Sequence, residues 1–174
     1  MTLSRPDTAP TPAGDALSIE RWAATSGSER GSRASLVLHG GGHRWRAHAD
    51  GNGAIDALMR AVDDALAPLL GDGIALATYD VHASGPGHDA TAAVSLSVRR
   101  RSDPDGPLYP GRAVSENVLE ASVAAYVDAI NALLADTGVD IASAVPSPGE
   151  TNTHDTDPEH RSGAKDRIMS AYNH

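Results

Sequence analysis

Cysteine is absent from this 174-residue chain, which removes disulfides, thiolate nucleophiles and Cys-based zinc or iron sites from consideration. Phenylalanine is absent too, and with two Trp and four Tyr the interior falls to Ala, Val, Leu and Ile. Side chains this small let helix and sheet approach closely. No run of 18 apolar residues occurs, and the opening Met-Thr-Leu-Ser-Arg-Pro-Asp lacks the apolar stretch of a secretory signal; both predict a cytoplasmic protein with no membrane partner. Positive charge is scarce. Fourteen Lys and Arg against twenty-three Asp and Glu give a net charge of −9, which repels a phosphate backbone and argues against a nucleic-acid partner. The chain is also too short for a (β/α)8 barrel, which takes about 250 residues. What is present, 40% hydrophobic residues, suffices to close one core.

Residues 1–15 and 144–174 are polar, Pro-rich and without periodicity, and are expected to be disordered tails around a folded unit over 16–143. The exception is Ile168–Tyr172, expected either to dock or to form a short helix. Apolar positions Ile55, Leu58, Met59, Val62 and Leu66 recur at helical spacing until Pro68 ends or kinks the run. A second helix follows from Leu119, Val123, Tyr126, Val127, Ile130 and Leu134, with Ser115 as its expected N-cap and Gly138 as its stop. Strands are expected over 17–24, around Leu36 and Leu38, and over 43–49, 74–82, 92–98 and 109–114. The last is interrupted by Pro110 and Gly111. The order is three strands, a helix, three strands, a helix. It predicts an α/β fold of the α+β type, built from duplicated βββα units over about 16–71 and 72–143. Each amphipathic helix would cover one face of an antiparallel or mixed sheet.

Asp50-Gly51-Asn52-Gly53-Ala54-Ile55-Asp56 stands where a strand gives way to a helix. Glycines there leave free N–H groups at the positive end of the helix dipole, a place suited to a carboxylate. The bland reading, a merely structural turn, is the commoner one for so short a motif. Gly111-Arg112-Ala113-Val114-Ser115-Glu116-Asn117 occupies the same place in the second unit, so two helix starts could converge on one ligand. Gly85-Pro86-Gly87-His88-Asp89-Ala90 has the spacing of a dinucleotide fingerprint, but the alternation over 92–98 denies it the helix it needs. His39-Gly40-Gly41-Gly42-His43 lacks a nucleophile elbow elsewhere and reads as a hairpin turn. His154, Asp155, Asp157, Glu159 and His160 are metal-ligand types in a polar tail that fixes no geometry. Arg99, Arg100 and Arg101 read as a solvated strand end.

Four segments taken in order carry a resemblance: Gly51-Asn52-Gly53-Ala54-Ile55-Asp56-Ala57, Tyr79-Asp80-Val81-His82-Ala83, Gly87-His88-Asp89-Ala90-Thr91-Ala92, and Glu120-Ala121-Ser122. Together they resemble the C-terminal allosteric and dimerisation domain of 2-isopropylmalate synthase, over roughly residues 16–136. The resemblance implies a standalone regulatory module of leucine biosynthesis, two βββα halves pairing in a homodimer and binding leucine or a related branched-chain amino acid. It places Asn52, Gly53, Ile55, Asp56, Asp80, Ala83, Ala90 and Ala92 around the effector. No residue is assigned to catalysis, to a metal or to a cofactor. A separately encoded catalytic synthase chain is the implied partner, because the barrel and its metal-binding His-x-His are not in this sequence.

Three family positions differ: Ala54 stands where Pro often follows Gly-Asn-Gly, Val81 where Glu often precedes His, and Pro110-Gly111 where Trp-Gly is usual. Asp80 replaces an aromatic or apolar residue. These departures keep a second reading open, an interaction module that retains the dimer surface and has lost the pocket. A third, a small enzyme using His82, His88 and Asp89, lacks an identifiable nucleophile or cofactor.

Overall fold

The structure, a computed structural model, describes residues 16–28, 31–85 and 90–144. The expected tails over 1–15 and 144–174, including the Ile168–Tyr172 segment and the His154–His160 cluster, lie outside the described residues except for Ala144.

Two βββα units follow one another. The first is β1 (Ser18–Thr25), β2 (Ser32–Gly40), β3 (His43–Gly51) and α1 (Ala54–Leu70); the second is β4 (Ile74–Ser84), β5 (Thr91–Arg100), β6 (Tyr109–Ser115) and α2 (Val118–Thr137). Each trio forms its own antiparallel sheet, in the orders β1-β2-β3 and β4-β5-β6. In the first sheet Leu36, Leu38 and Trp45 point inward under α1. In the second, Val94, Leu96 and Val98 point inward under α2. The β2–β3 hairpin turns through Gly41 and Gly42, both at positive φ, as the glycine run predicts.

The two helices share one core. Tyr126 of α2 donates its hydroxyl to Asp63 of α1 at 2.8 Å. Asn131 of α2 accepts from the backbone N–H of Leu17 and donates to its carbonyl, both at 2.9 Å, which fixes the start of β1 on the helix of the other unit. α2 therefore touches β1, β5, β6 and α1. It is not amphipathic on one side, as its spacing suggested: Ala121, Ala125, Ala129 and Leu133 are buried along with the residues of the apolar series. Long and apolar enough to cross a bilayer, α2 is here a helix packed against those four elements.

Several local expectations are corrected. Pro68 does not end α1, which runs on to Leu70 because Leu69 and Leu70 are buried; Pro68 and Asp64 lie on the exposed side, where water can take the Asp64 carbonyl that Pro68 cannot serve. Gly71 at φ +59° closes the helix instead. The N-cap of α2 is Asn117, whose side chain accepts from Leu119 N–H at 2.9 Å, and not Ser115. Strand β2 begins four residues before Leu36, since Ser32 and Ala34 are small enough to be buried in alternation with Arg33 and Ser35. The Pro110-Gly111 pair does not break β6. Pro110 lies on an edge strand, and a Cβ on Gly111 would stand 2.6 Å from the backbone nitrogen of Ala129 on α2 and closer still to the Ala125 carbonyl. Only glycine admits that approach. Arg101 is more than a solvated end, because its guanidinium donates to the Ile74 carbonyl at 3.1 Å.

Candidate functional site

The eight residues singled out from the sequence divide evenly between the units. Asn52, Gly53, Ile55 and Asp56 form the entry to α1. Gly53 is its N-cap, at φ −152° and ψ 168°, and offers no side-chain acceptor. The first helical bond runs from Ala57 N–H to Gly53 O at 2.9 Å, so the N–H groups of Ala54, Ile55 and Asp56 precede the helical ladder. The Asp56 carboxylate turns back. Its Oδ2 accepts from Asn52 N–H at 2.9 Å and from Arg60 Nε at 3.0 Å. Those two donors, the backbone one first, hold its carboxyl below the usual range, so it remains an anion at neutral pH. Gly51 is required here: a Cβ would meet Asp56 Oδ2 and the Ala57 Cα at 2.8 Å each.

Asp80, Ala83, Ala90 and Ala92 belong to the far end of the β4–β5 hairpin. Register aligns Ala83 with Ala92, and Ala92 with Ser115 of β6, so three small side chains form a row across the helix-covered face, ending beside the start of α2. Asp80 pairs with Ser95 and faces the other side, together with His82. The structure thus joins Ala83 to Ala92 but not to Asp80, and Ala90 stands just ahead of β5, outside the register. Ala83 is exposed, Ala90 half-buried and Ala92 buried. Residues 86–89, including His88 and Asp89, lie outside the described residues; β5 begins at Thr91, so a strand stands where a dinucleotide fingerprint needs its helix.

The start of α2 is already closed by its own side chains. Asn117 caps it, Ser115 Oγ accepts from Asn117 N–H at 3.1 Å, and the same hydroxyl donates to Glu120 at 2.7 Å. The two helix starts therefore differ: one presents N–H groups ahead of its ladder, the other is capped. Periodicity gave no hint of Tyr79, whose hydroxyl lies 2.7 Å from Ser122 Oγ. Because Ser122 donates to the Val118 carbonyl at 2.6 Å, the tyrosine is the donor, and it ties β4 to the second turn of α2.

Within one chain the two groups of four sit on elements that are not main packing partners of one another. α1 packs on β1, β2, β3 and α2, whereas β4 and β5 are not among its main partners. A groove of about 610 Å³ between β1 and α2, lined by Ile19, Trp22, Glu120, Ala124 and Val127 among others, contains none of the eight. Among the described residues no group of three or more His, Cys, Asp or Glu is placed to hold a metal ion.

The family described as the LeuA allosteric (dimerisation) domain matches residues 6–134. Among curated proteins, the chain is similar to a 2-isopropylmalate synthase of Xanthomonas campestris pv. campestris (strain B100), 39% identical over 117 residues, which is 66% of this chain and 21% of that protein. It is similar also to the enzyme of that name from Stenotrophomonas maltophilia (strain R551-3), 34% identical over 131 residues, 74% of this chain and 23% of that protein. The chain spans about a fifth of the length of the curated relatives it matches.

Proposed function

Since the chain belongs to the LeuA allosteric (dimerisation) domain family, we propose that it is a cytoplasmic homodimeric regulatory domain. It binds a branched-chain amino acid, leucine first, and reports occupancy to a 2-isopropylmalate synthase catalytic chain. The observation that carries this reading is the entry to α1: a glycine cap, N–H groups ahead of the helical ladder, and a carboxylate held in its anionic form beside them. A free amino acid carries both charges those groups would answer. Its carboxylate would take the N–H groups of the first turn, and its ammonium the Oδ1 of Asp56, whose Oδ2 is engaged by Asn52 and Arg60. Ile55 and the small Ala83, Ala90 and Ala92 would bound the aliphatic side chain. Because β4 and β5 are not main packing partners of α1 in one chain, we assign those alanines to a second copy, with Asp80 outside the slot.

Calorimetric titration with leucine, isoleucine and valine at millimolar ligand, alongside light scattering, tests this reading. The expected result is a dimer that takes one effector per chain, with affinity lost when dilution yields monomers. A dimer that gives neither heat nor a melting shift with all three refutes the effector. The alternative, an interaction module without a pocket, is favoured by one observation: the start of α2 is already filled by its own side chains.

A further inference from the structure

The face of the first sheet turned away from α1 is basic on an otherwise acidic chain. Register places on it Arg21 of β1, Arg33 and His39 of β2, and Arg44, Arg46 and His48 of β3, all exposed. Arg33 pairs with Asp50 at 2.9 Å and Arg44 with Glu20 at 2.7 Å. Arg21 and Arg46 have no carboxylate partner among the described residues. They are the two cross-strand neighbours of Val37, which is only 6% exposed although no described element packs over it. Arg21, Val37 and Arg46 together line a depression of about 380 Å³, the arrangement in which arginine stems lie along an apolar residue while the charged heads stay in water. Two unpaired arginines on strands two spacings apart, about 10 Å between backbones, beside the apolar Val37 suit an extended segment bearing several carboxylates.

The chain supplies such a segment and delivers it to this face. After Ala144, four carboxylates, Glu150, Asp155, Asp157 and Glu159, interspersed with His154, occur before the first Lys or Arg, Arg161. Asp155, Asp157 and Glu159 alternate, so in extended chain they project to one side. The last described residues are anchored at the β2–β3 turn: His43 Nε2–H donates to the Ala142 carbonyl at 2.8 Å, and Gly41 lies so close that a Cβ there would stand 2.6 Å from Ala142 N. That turn is flanked by His39 and Arg44, the near end of the basic face. From Ala144 to Asp155 is a reach of up to about 36 Å, longer than the strands themselves. We infer that the outer face of the first sheet is the docking surface for the acidic segment Glu150–Glu159 of the same chain. The segment neutralises Arg21 and Arg46 and shields the face from other polyanions.

The absence of native cysteine makes the test direct. Spin labels on Ala23→Cys and Thr156→Cys in the full-length chain, diluted with unlabelled chain, report their separation by pulsed dipolar spectroscopy. A distinct population shorter than about 30 Å, the length of a nine-residue strand, is expected at low salt. It should disappear near 1 M salt, where the screening length is about 3 Å, and with Arg21→Gln plus Arg46→Gln. The combination Glu150→Gln, Asp155→Asn, Asp157→Asn and Glu159→Gln, which leaves the sheet untouched, should abolish it too and raise heparin affinity about tenfold or more. A broad, long distribution indifferent to salt and to both variants overturns the assignment. So does a short distance seen only when the two labels are on separate chains, or equal heparin binding with and without the tail charges.

Discussion

Asp63→Asn is expected to stabilise the protein at neutral pH. Asp63 lies between the helices, where burial pushes its carboxyl up to about 6 from 3.8, against the opposing effects of the Tyr126 hydrogen bond at 2.8 Å and the Arg101 charge. The folded state therefore binds this proton more tightly than the unfolded chain does. Its stabilising effect is complete below about pH 4 and is lost as pH rises through about 6. About two pKa units correspond to about 3 kcal/mol, an upper bound on the cost of retaining the anion above pH 7. Asparagine keeps the shape and an oxygen to accept from Tyr126 while carrying no charge. Denaturant unfolding at fixed protein concentration should show the variant more stable by about 1–3 kcal/mol at pH 7.5, with the gap closing by pH 4. A variant less stable at pH 7.5, or a gap independent of pH, would refute the claim that desolvation dominates at this site.

Asn131→Ala removes both hydrogen bonds to Leu17 and should cost about 1–3 kcal/mol. Hydrogen exchange should report this as faster exchange in β1, with β5 unaffected; a uniform change would mean that the side chain does not act as a local clamp. Gly111→Ala places a methyl against the backbone of α2 and should cost about 3 kcal/mol or more, read as a melting shift, whereas the open, extended Gly53 should accept alanine with a small change.

The order of elements was legible because it rests on local periodicity. Alternation such as Ala92-Ala93-Val94-Ser95-Leu96 and helical spacing such as Ile55-Leu58-Met59-Val62 are consequences of the backbone geometry each segment adopts. What escaped notice depends on partners distant in sequence. Val37 reads as an outward residue by period and is nonetheless buried, with Arg21 and Arg46 as its cross-strand neighbours. Pro68 reads as a stop or a kink, and the helix runs through it to bury Leu69 and Leu70. Asn131 and Leu17 meet across 114 positions, a distance that no local pattern encodes. At the site, the residue types around α1 were readable from the Gly-Asn-Gly turn, while the separation of Asp80 from Ala83 follows from strand parity combined with the observed register.

Duplication sharpens the functional argument through the two helix starts. Gly53 and Asp56 hold the same positions in α1, the N-cap and the third helical residue, that Asn117 and Glu120 hold in α2. In each unit the acidic residue bonds backward to the incoming strand or turn, Asp56 to Asn52 N–H and Glu120 to Ser115 Oγ. The difference lies at the cap. Asn117 takes Leu119 N–H, whereas Gly53 has nothing with which to take Ile55 N–H. A ligand carboxylate arriving at α2 would have to displace a bond already made, and one arriving at α1 would not. On the proposed reading, that asymmetry predicts one effector per chain. Occupancy can then influence a catalytic chain only if the two copies hold the alanine row and the α1 entry in two arrangements of unequal affinity, because a ligand shifts an equilibrium by no more than its preference between the states.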